Sequence, residues 1–300
     1  MNYRIKVSVI ILTYKREDEL AECIESILGQ DYSPIEVTII DNGDSEKTRK
    51  LIENRFSDPR INYFPMDENR GVAGGRNEGV KRSNGEIMVF IDDDALFRGP
   101  DAITQIMRRF ADSSDLGVIS FKSLDYESGD PVWQEIPLRD KSLNLDEEQE
   151  TSYYLGGACA IRKEVFDRVG LYSDKFVYAF EELDLSFRIV EDGYRIIYFP
   201  TVAILHKNPP ERGDKSLGYW EKMLENRIRA SVRNLPWRYV FFSGLIWSGY
   251  ILLRTKGRLD VLARSYGNLI RDRKVLLKER NPISFETITK LKNIQGRVLY

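Results

Sequence analysis

Ile87-Met88-Val89-Phe90-Ile91-Asp92-Asp93-Asp94 is an apolar run of five residues that ends in three consecutive carboxylates. A run this short and this apolar reads as a strand buried on both faces, the kind found in parallel sheets covered by helices. The same pattern stands upstream at Val7 to Leu12, Val37 to Ile40 and Ile61 to Phe64. Helical patterns separate these runs: Leu20, Ile24, Ile27 and Leu28 share a face, a second helix surrounds Leu51, and a third is expected from Val72 to Ser83. Strand alternating with helix is the pattern of an α/β fold, here a mostly parallel sheet flanked by helices.

Downstream, residues Phe121 to Thr151 are irregular and acidic, with Pro131 and Trp133 among them. Such a segment suits an excursion over a site, and acceptor recognition is expected there. Order returns at Tyr153 to Ile161, then a helix from Lys163, another from Glu181 to Glu191, and strands at Arg195 to Phe199 and Val202 to Leu205. Beyond Pro209 and Pro210 only helical patterns remain, with Leu217, Trp220, Leu224 and Ile228 on one stripe and Leu259, Leu262, Tyr266, Leu269 and Leu276 on another. The pattern predicts a catalytic domain over 1–214 and an all-helical extension over 215–300, with a boundary near Asp214.

At 300 residues, 42% hydrophobic and 31% charged, the chain has material for a globular enzyme and is not a disordered protein. Its net charge of -2 conceals an asymmetry, because Lys207 to Tyr300 holds 20 Lys and Arg against 8 Asp and Glu. A basic tail behind an acidic body points to an anionic partner, and lipid fits better than nucleic acid, for which no binding motif is present. Tyr239 to Leu253 is an uncharged stretch of fifteen residues, short of the roughly 20 that span a bilayer. It reads either as an interfacial helix anchored by Trp247 and Tyr250 or as a buried helix that packs on the catalytic domain or joins a homo-oligomer. Met1 to Arg16 lacks a cleavage pattern and reads as a first strand, so a cytoplasmic protein, peripheral on the inner membrane face, is expected. Cys23 and Cys159 sit in apolar patterns and read as core residues, without a disulfide or zinc framework.

Three carboxylates at the carboxyl end of a buried strand lie where open α/β sheets bind ligands. Adjacent negative charges raise one another's pKa, so the cluster is costly unless a cation such as Mg2+ or Mn2+ neutralises it; a solvated acidic turn is the plainer alternative. His206, the one histidine, closes the strand from Val202 and offers a nitrogen ligand of the kind Mn2+ accepts. Glu181, Glu182 and Asp184 stand in the first turn of a helix, where they either stabilise the helix or handle a substrate hydroxyl. Glu181 and Asp184, three apart, are expected to share a face. Asn69 to Asn77, with Gly79, resembles a phosphate-cradling turn but lacks the spacing of a dinucleotide or P-loop site. Thr13 to Arg16 and Asp41-Asn42-Gly43 are loops at the same rim of the sheet.

In sequence order, Val9-Ile-Ile-Leu-Thr-Tyr-Lys-Arg16, Asp41-Asn42, Asn69-x-Gly-x-Ala-Gly-Gly-x-Asn77, Asp92 to Asp94, Gly156-Gly157-Ala158 and Glu181-Glu-Leu-Asp-Leu185 resemble glycosyltransferase family 2, the inverting nucleotide-sugar enzymes of the GT-A fold. The resemblance covers about Val7 to His206. It implies that Thr13, Tyr14 and Arg16 line a nucleotide pocket, that Asp41 accepts a hydrogen bond from a pyrimidine, and that Arg76 and Asp93 lie near the nucleotide. Asp92 and Asp94 take the family's D-x-D positions, touching ribose and metal, with His206 completing the metal site. Gly156 and Gly157 would let backbone approach the donor sugar, and Trp133 would meet the acceptor. The family's base is the second residue of a Glu-Asp pair; here that position is Glu182, so either Glu182 or Asp184 takes the proton, with its neighbours orienting the acceptor. The implied activity is transfer from a UDP- or dTDP-sugar to a glycan or lipid-linked acceptor in cell-surface polysaccharide synthesis. Two rivals remain: a non-catalytic nucleotide-sugar or glycan binder on this scaffold, and a phosphatase of the haloacid dehalogenase type. The phosphatase would place its nucleophile on the first strand, which this chain does not do.

Overall fold

The structure is a computed structural model that describes residues 5–140, 142–207 and 216–299. Strands β1 (Val7–Thr13), β2 (Ile35–Asp41), β3 (Ile61–Pro65) and β4 (Ile87–Asp92) form a parallel half-sheet in the order β3-β2-β1-β4, with Val9 opposite both Val37 and Val89. Helices α1 (Glu17–Leu28), α2 (Glu46–Arg55) and α3 (Gly71–Arg82) make the crossovers. Alternate strand residues point to opposite faces, and both faces are covered. Val7, Val9 and Ile11 of β1 with Val89 of β4 pack on Leu20, Ile24 and Ile27 of α1, while Ile10, Met88 and Phe90 meet Ala73 and Val80 of α3 in a second core.

The glycines of α3 serve this packing. A Cβ at Gly75 would overlap the Leu12 side chain, and one at Gly79 would overlap Ile10. The run expected to cradle phosphate is therefore mostly helix interior that presses close to the sheet, with Asn69 and Gly71 at the cleft rim.

The other half of the sheet is mixed. After β5 (Ala95–Phe97) and α4 (Ala102–Ala111) come β6 (Leu116–Asp125), β7 (Gln149–Thr151), β8 (Ala158–Arg162), α5 (Lys163–Val169), α6 (Glu181–Glu191) and β9 (Arg195–His206). Strand β8 inserts antiparallel between β4 and β6, β6 and β9 run parallel, and β7 and β5 flank opposite ends of β9. The two strands expected at 195–199 and 202–205 form one strand, with a register shift where Phe121 pairs with Phe199 and Lys122 with Ala203. Pairing of Ala95 with His206 carries the end of β9 to the end of β4.

The C-terminal helices are α7 (Leu217–Asn234), α8 (Trp237–Arg254), α9 (Leu259–Arg271), α10 (Arg273–Lys278) and α11 (Phe285–Asn293). Trp220, Leu224, Ile228, Ile251, Val261 and Leu269 form a third core. Ala230 and Leu235, together with Ile288, Leu291 and Val298, pack instead into the second core alongside α6. The boundary expected near Asp214 lies outside the described residues. No helix among the described residues is long and apolar enough to cross a membrane.

Candidate active site

At the carboxyl rim of β1 and β4 a cleft of about 720 Å3 is lined by Thr13, Tyr14, Arg16, Asn42, Arg76, Asp92, Asp93, Asp94, Glu135, Gly157, Tyr178, Glu181, Glu182 and His206. Asp93 and Asp94 are buried, and Arg16 bridges them, its Nη1 donating to Asp94 Oδ2 at 2.5 Å and lying 3.2 Å from Asp93 Oδ1. Burial pushes the Asp93 carboxyl up to about 7 against the pull of Arg16. Burial also raises Asp92, which Arg76 opposes from 3.7 Å.

His206 Nε2 stands 3.2 Å from Asp94 Oδ1, and Nδ1 stands 2.8 Å from Glu135 Oε1. Burial disfavours the imidazolium, yet the hydrogen bonds to Asp94 and Glu135 outweigh it and lift the pKa to about 10. Asp92, Asp94 and His206 each offer one donor atom, and these atoms lie within 4.8 Å of one another. Two hard oxygens and one imidazole nitrogen suit Mn2+ or Mg2+ better than a soft metal. Glu135 on Nδ1 adds to the fit, because a carboxylate behind a histidine fixes the ring so that Nε2 faces the ion.

The opposite wall comes from α3 and α6. Arg76 of α3 is buried, and its Nη1 donates to Glu181 Oε1 at 3.0 Å and to Glu182 Oε1 at 3.2 Å. Burial opposes the guanidinium charge, but Glu182 and Glu181 together hold its pKa well above the usual value. Burial and the neighbouring Glu182 push Glu181 strongly upward, so Glu181 retains a proton more readily than an ordinary carboxyl. The carboxylates point this way because the chain bends just before α6, where Ala179 (φ 64) and Phe180 (φ 68) are both left-handed. Asn226 of α7 donates to the carbonyls of Tyr178 and Ala179, at 2.5 and 3.2 Å, and holds the bend.

Four expected residues stand outside this lining. Asp184 is fully buried: Oδ1 accepts from Arg233 and Asn234, both at 2.7 Å, and Oδ2 accepts from Arg188 at 3.1 Å. It does not share the cleft face with Glu181 as spacing suggested; Glu181 and Glu182 converge there instead, both drawn to Arg76. Trp133 is 45% exposed and away from the cleft. Gly156 lies behind Arg76 and Glu182, and a Cβ there would overlap both; a Cβ at Gly157, which does line the cleft, would overlap the Asp92 carboxylate. Both glycines thus make room for the site's own charged side chains. Asp41 is buried beneath the rim, its Oδ2 accepting from Ser45 N at 2.8 Å and Tyr63 OH at 2.7 Å, while Oδ1 has no partner. The Tyr14 ring lies against Gly43 just above it.

Glu135 was not singled out from sequence. No local signal marked it: its neighbour Trp133 is exposed, and Glu135 is buried by the route of its segment, against His206 and Ser123.

Residues 8–170 match the family described as glycosyl transferase family 2. Among curated proteins, the glucosyl-dolichyl phosphate glucuronosyltransferase of Haloferax volcanii is 28% identical over 221 residues, 68% of this chain and 69% of its own length. The GalNAc(5)-diNAcBac-PP-undecaprenol beta-1,3-glucosyltransferase of Campylobacter jejuni is 36% identical over 92 residues, 30% of this chain and 29% of its own. In fold, the chain resembles the mannosyltransferase PcManGT of Pyrobaculum calidifontis, solved with GDP-Man and Mn2+. The TM-score is 0.61, with 19% identity over 97% of this chain and 80% of that one.

Proposed function

The chain belongs to glycosyl transferase family 2 and is a glycosyltransferase; from that premise we propose that it moves a sugar, with inversion, from a pyrimidine nucleoside diphosphate to a hydroxyl of a lipid-linked glycan. The observation that carries this reading is the placement of Glu182, held by Arg76, across one cleft from the donor set Asp92, Asp94 and His206.

Asp41 supports a pyrimidine. Oδ2 is already satisfied twice, so one acceptor, Oδ1, remains; it is buried beneath the rim, and a base reaches it when the rim at Tyr14 and Gly43 opens. A uracil or thymine imide presents a single N–H between two carbonyls, whereas guanine presents two adjacent donors that match a free carboxylate. Tyr14, 45% exposed, offers a face on which the base stacks. A divalent ion held by Asp92, Asp94 and His206 would carry negative charge of the departing diphosphate. Arg16 keeps Asp93 and Asp94 in place.

Glu182 removes the acceptor proton as the hydroxyl attacks the anomeric carbon from the face opposite the leaving diphosphate. Arg76 aims the Glu182 carboxylate, while Glu181 bonds the acceptor. Asp184 is not the base in this reading, since both its oxygens are occupied by cations and an amide. The printed names of the Haloferax and Campylobacter relatives, a dolichyl phosphate and an undecaprenol diphosphate, support a lipid-linked acceptor. That acceptor supports a membrane-peripheral site.

The test is diphosphate release from UDP-, dTDP- and GDP-sugars with Mn2+, Mg2+ or EDTA. Release with a pyrimidine donor that EDTA abolishes is expected. Glu182→Gln should retain donor binding and lose transfer by about 100-fold or more; unchanged turnover in that variant would remove Glu182 from the mechanism. Failure of every donor with every metal would favour the binder.

A further inference from the structure

Helix α8 is apolar on both sides, which is rare for a helix at a protein surface. Its inner side packs on α7, with Tyr239, Ser243 and Ile251 buried. Its outer side presents Trp237, Phe241, Phe242, Leu245, Ile246 and Leu253, at exposures from 40% for Ile246 to 82% for Leu253. Phe241, Phe242, Leu245 and Ile246 neighbour one another at helical spacing, and Leu253 lies two turns beyond Ile246 on the same side, so they share one stripe. An apolar surface of that extent marks a contact with something else.

Cations border the stripe. Arg238 lies 4.5 Å over the exposed Phe285 ring and Arg280 lies 4.0 Å over Trp237, while exposed Lys256 stands at the far end between Arg254, stacked over Trp220, and Arg258, paired with Asp260. Resting on the reading of a lipid-linked acceptor, we propose that the outer face of α8 lies flat in the interface of an anionic bilayer and holds the chain there.

Two observations select lipid over a second copy of the chain. Residues 207–300 carry twenty cationic against eight anionic side chains, and a two-fold contact through α8 would set the same positive border against itself. An anionic headgroup layer neutralises that border and takes up aromatic and aliphatic side chains beneath it. In addition, α8 connects to the cleft through rings. Tyr178 at the cleft rim meets Tyr219 at 6.1 Å, Tyr219 meets Trp220 at 4.9 Å, Trp220 meets Tyr250 at 6.1 Å, Tyr250 meets Trp247 at 5.4 Å, and Trp247 meets Phe180 at 5.2 Å. Trp247, expected as a membrane anchor, turns inward to brace the residue before Glu181. The same helix that meets lipid outside thus supports the acceptor wall inside, and a lipid-borne hydroxyl would arrive next to Tyr178.

The experiment is flotation of the full chain with phosphatidylcholine vesicles that contain or lack phosphatidylglycerol, at low and high salt. The expected result is binding at least roughly tenfold stronger to the anionic vesicles, weakened by salt. The double variant Phe241→Ser with Leu245→Ser should lose binding by a similar factor. Both side chains are more than half exposed, and an unchanged thermal melt shows that the variant still folds. Binding that ignores lipid charge, or survives in the double variant, overturns the proposal. So does a wild-type dimer, seen by light scattering without vesicles, that the double variant converts to monomer. Donor hydrolysis in the same samples without vesicles separates the two readings: its persistence when flotation fails sinks only the membrane contact, and its loss sinks the enzymatic one.

Discussion

Asp92, Asp94 and His206, the proposed ion site, are brought together from the ends of strands. The aspartates terminate β4, and the histidine reaches them because Ala95 pairs with the last residue of β9. The acidic triplet was readable in sequence because five apolar residues ran straight into it, and His206 because it closed another apolar run. Glu135 was not, because it comes from an irregular segment whose route no local pattern encodes. It makes a sharp prediction: Glu135→Gln should weaken Mn2+ binding by about 10–100-fold, measured by calorimetric titration, while all three ligands remain in place. Gly157→Ala should weaken Mn2+ binding as well, because the new methyl group occupies the space of the Asp92 carboxylate. Mn2+ affinity equal to wild type in the Gly157 variant would show that Asp92 does not hold the ion.

Helix α6 carries two kinds of acid that spacing alone could not tell apart. Its limits, Glu181 and Glu191, are those the apolar pattern predicted, yet which carboxylate faces the cleft depends on Arg76 from another helix and on Arg233 from a third. Asp184→Ala should take from Arg233 and Arg188 the buried carboxylate they share, at a cost of about 3–5 kcal/mol seen as a lowered melting temperature. Glu182→Gln should leave the melt nearly unchanged and abolish transfer. Other elements were open to reading from pattern alone. Ile103, Ile106, Met107 and Phe110 in α4 have the helical spacing of a buried face, although no helix was expected there, whereas β7, three residues long, exists through its partner β9 and has no signature of its own.

At the scale of the whole molecule, the basic C-terminal helices do more than carry charge. Ile288, Leu291 and Val298 are buried in the core that backs α6, and each such side chain contributes about 1.5–3 kcal/mol. A chain truncated after Ser284 should therefore melt well below wild type and lose transfer even with soluble substrates. That dependence was hidden in the sequence, where the helix-only patterns left open whether the extension met lipid, packed on the catalytic domain or joined a homo-oligomer; contacts between segments so far apart leave no local mark. Two successive non-glycine residues in left-handed geometry, each costing about 1–3 kcal/mol, stand between Tyr178 and Glu181. Asn226 is the hand that keeps this elbow cocked. Asn226→Ala should let the elbow straighten: kcat falls while donor affinity holds, and the enzyme keeps its grip on the sugar nucleotide but loses its aim at the alcohol.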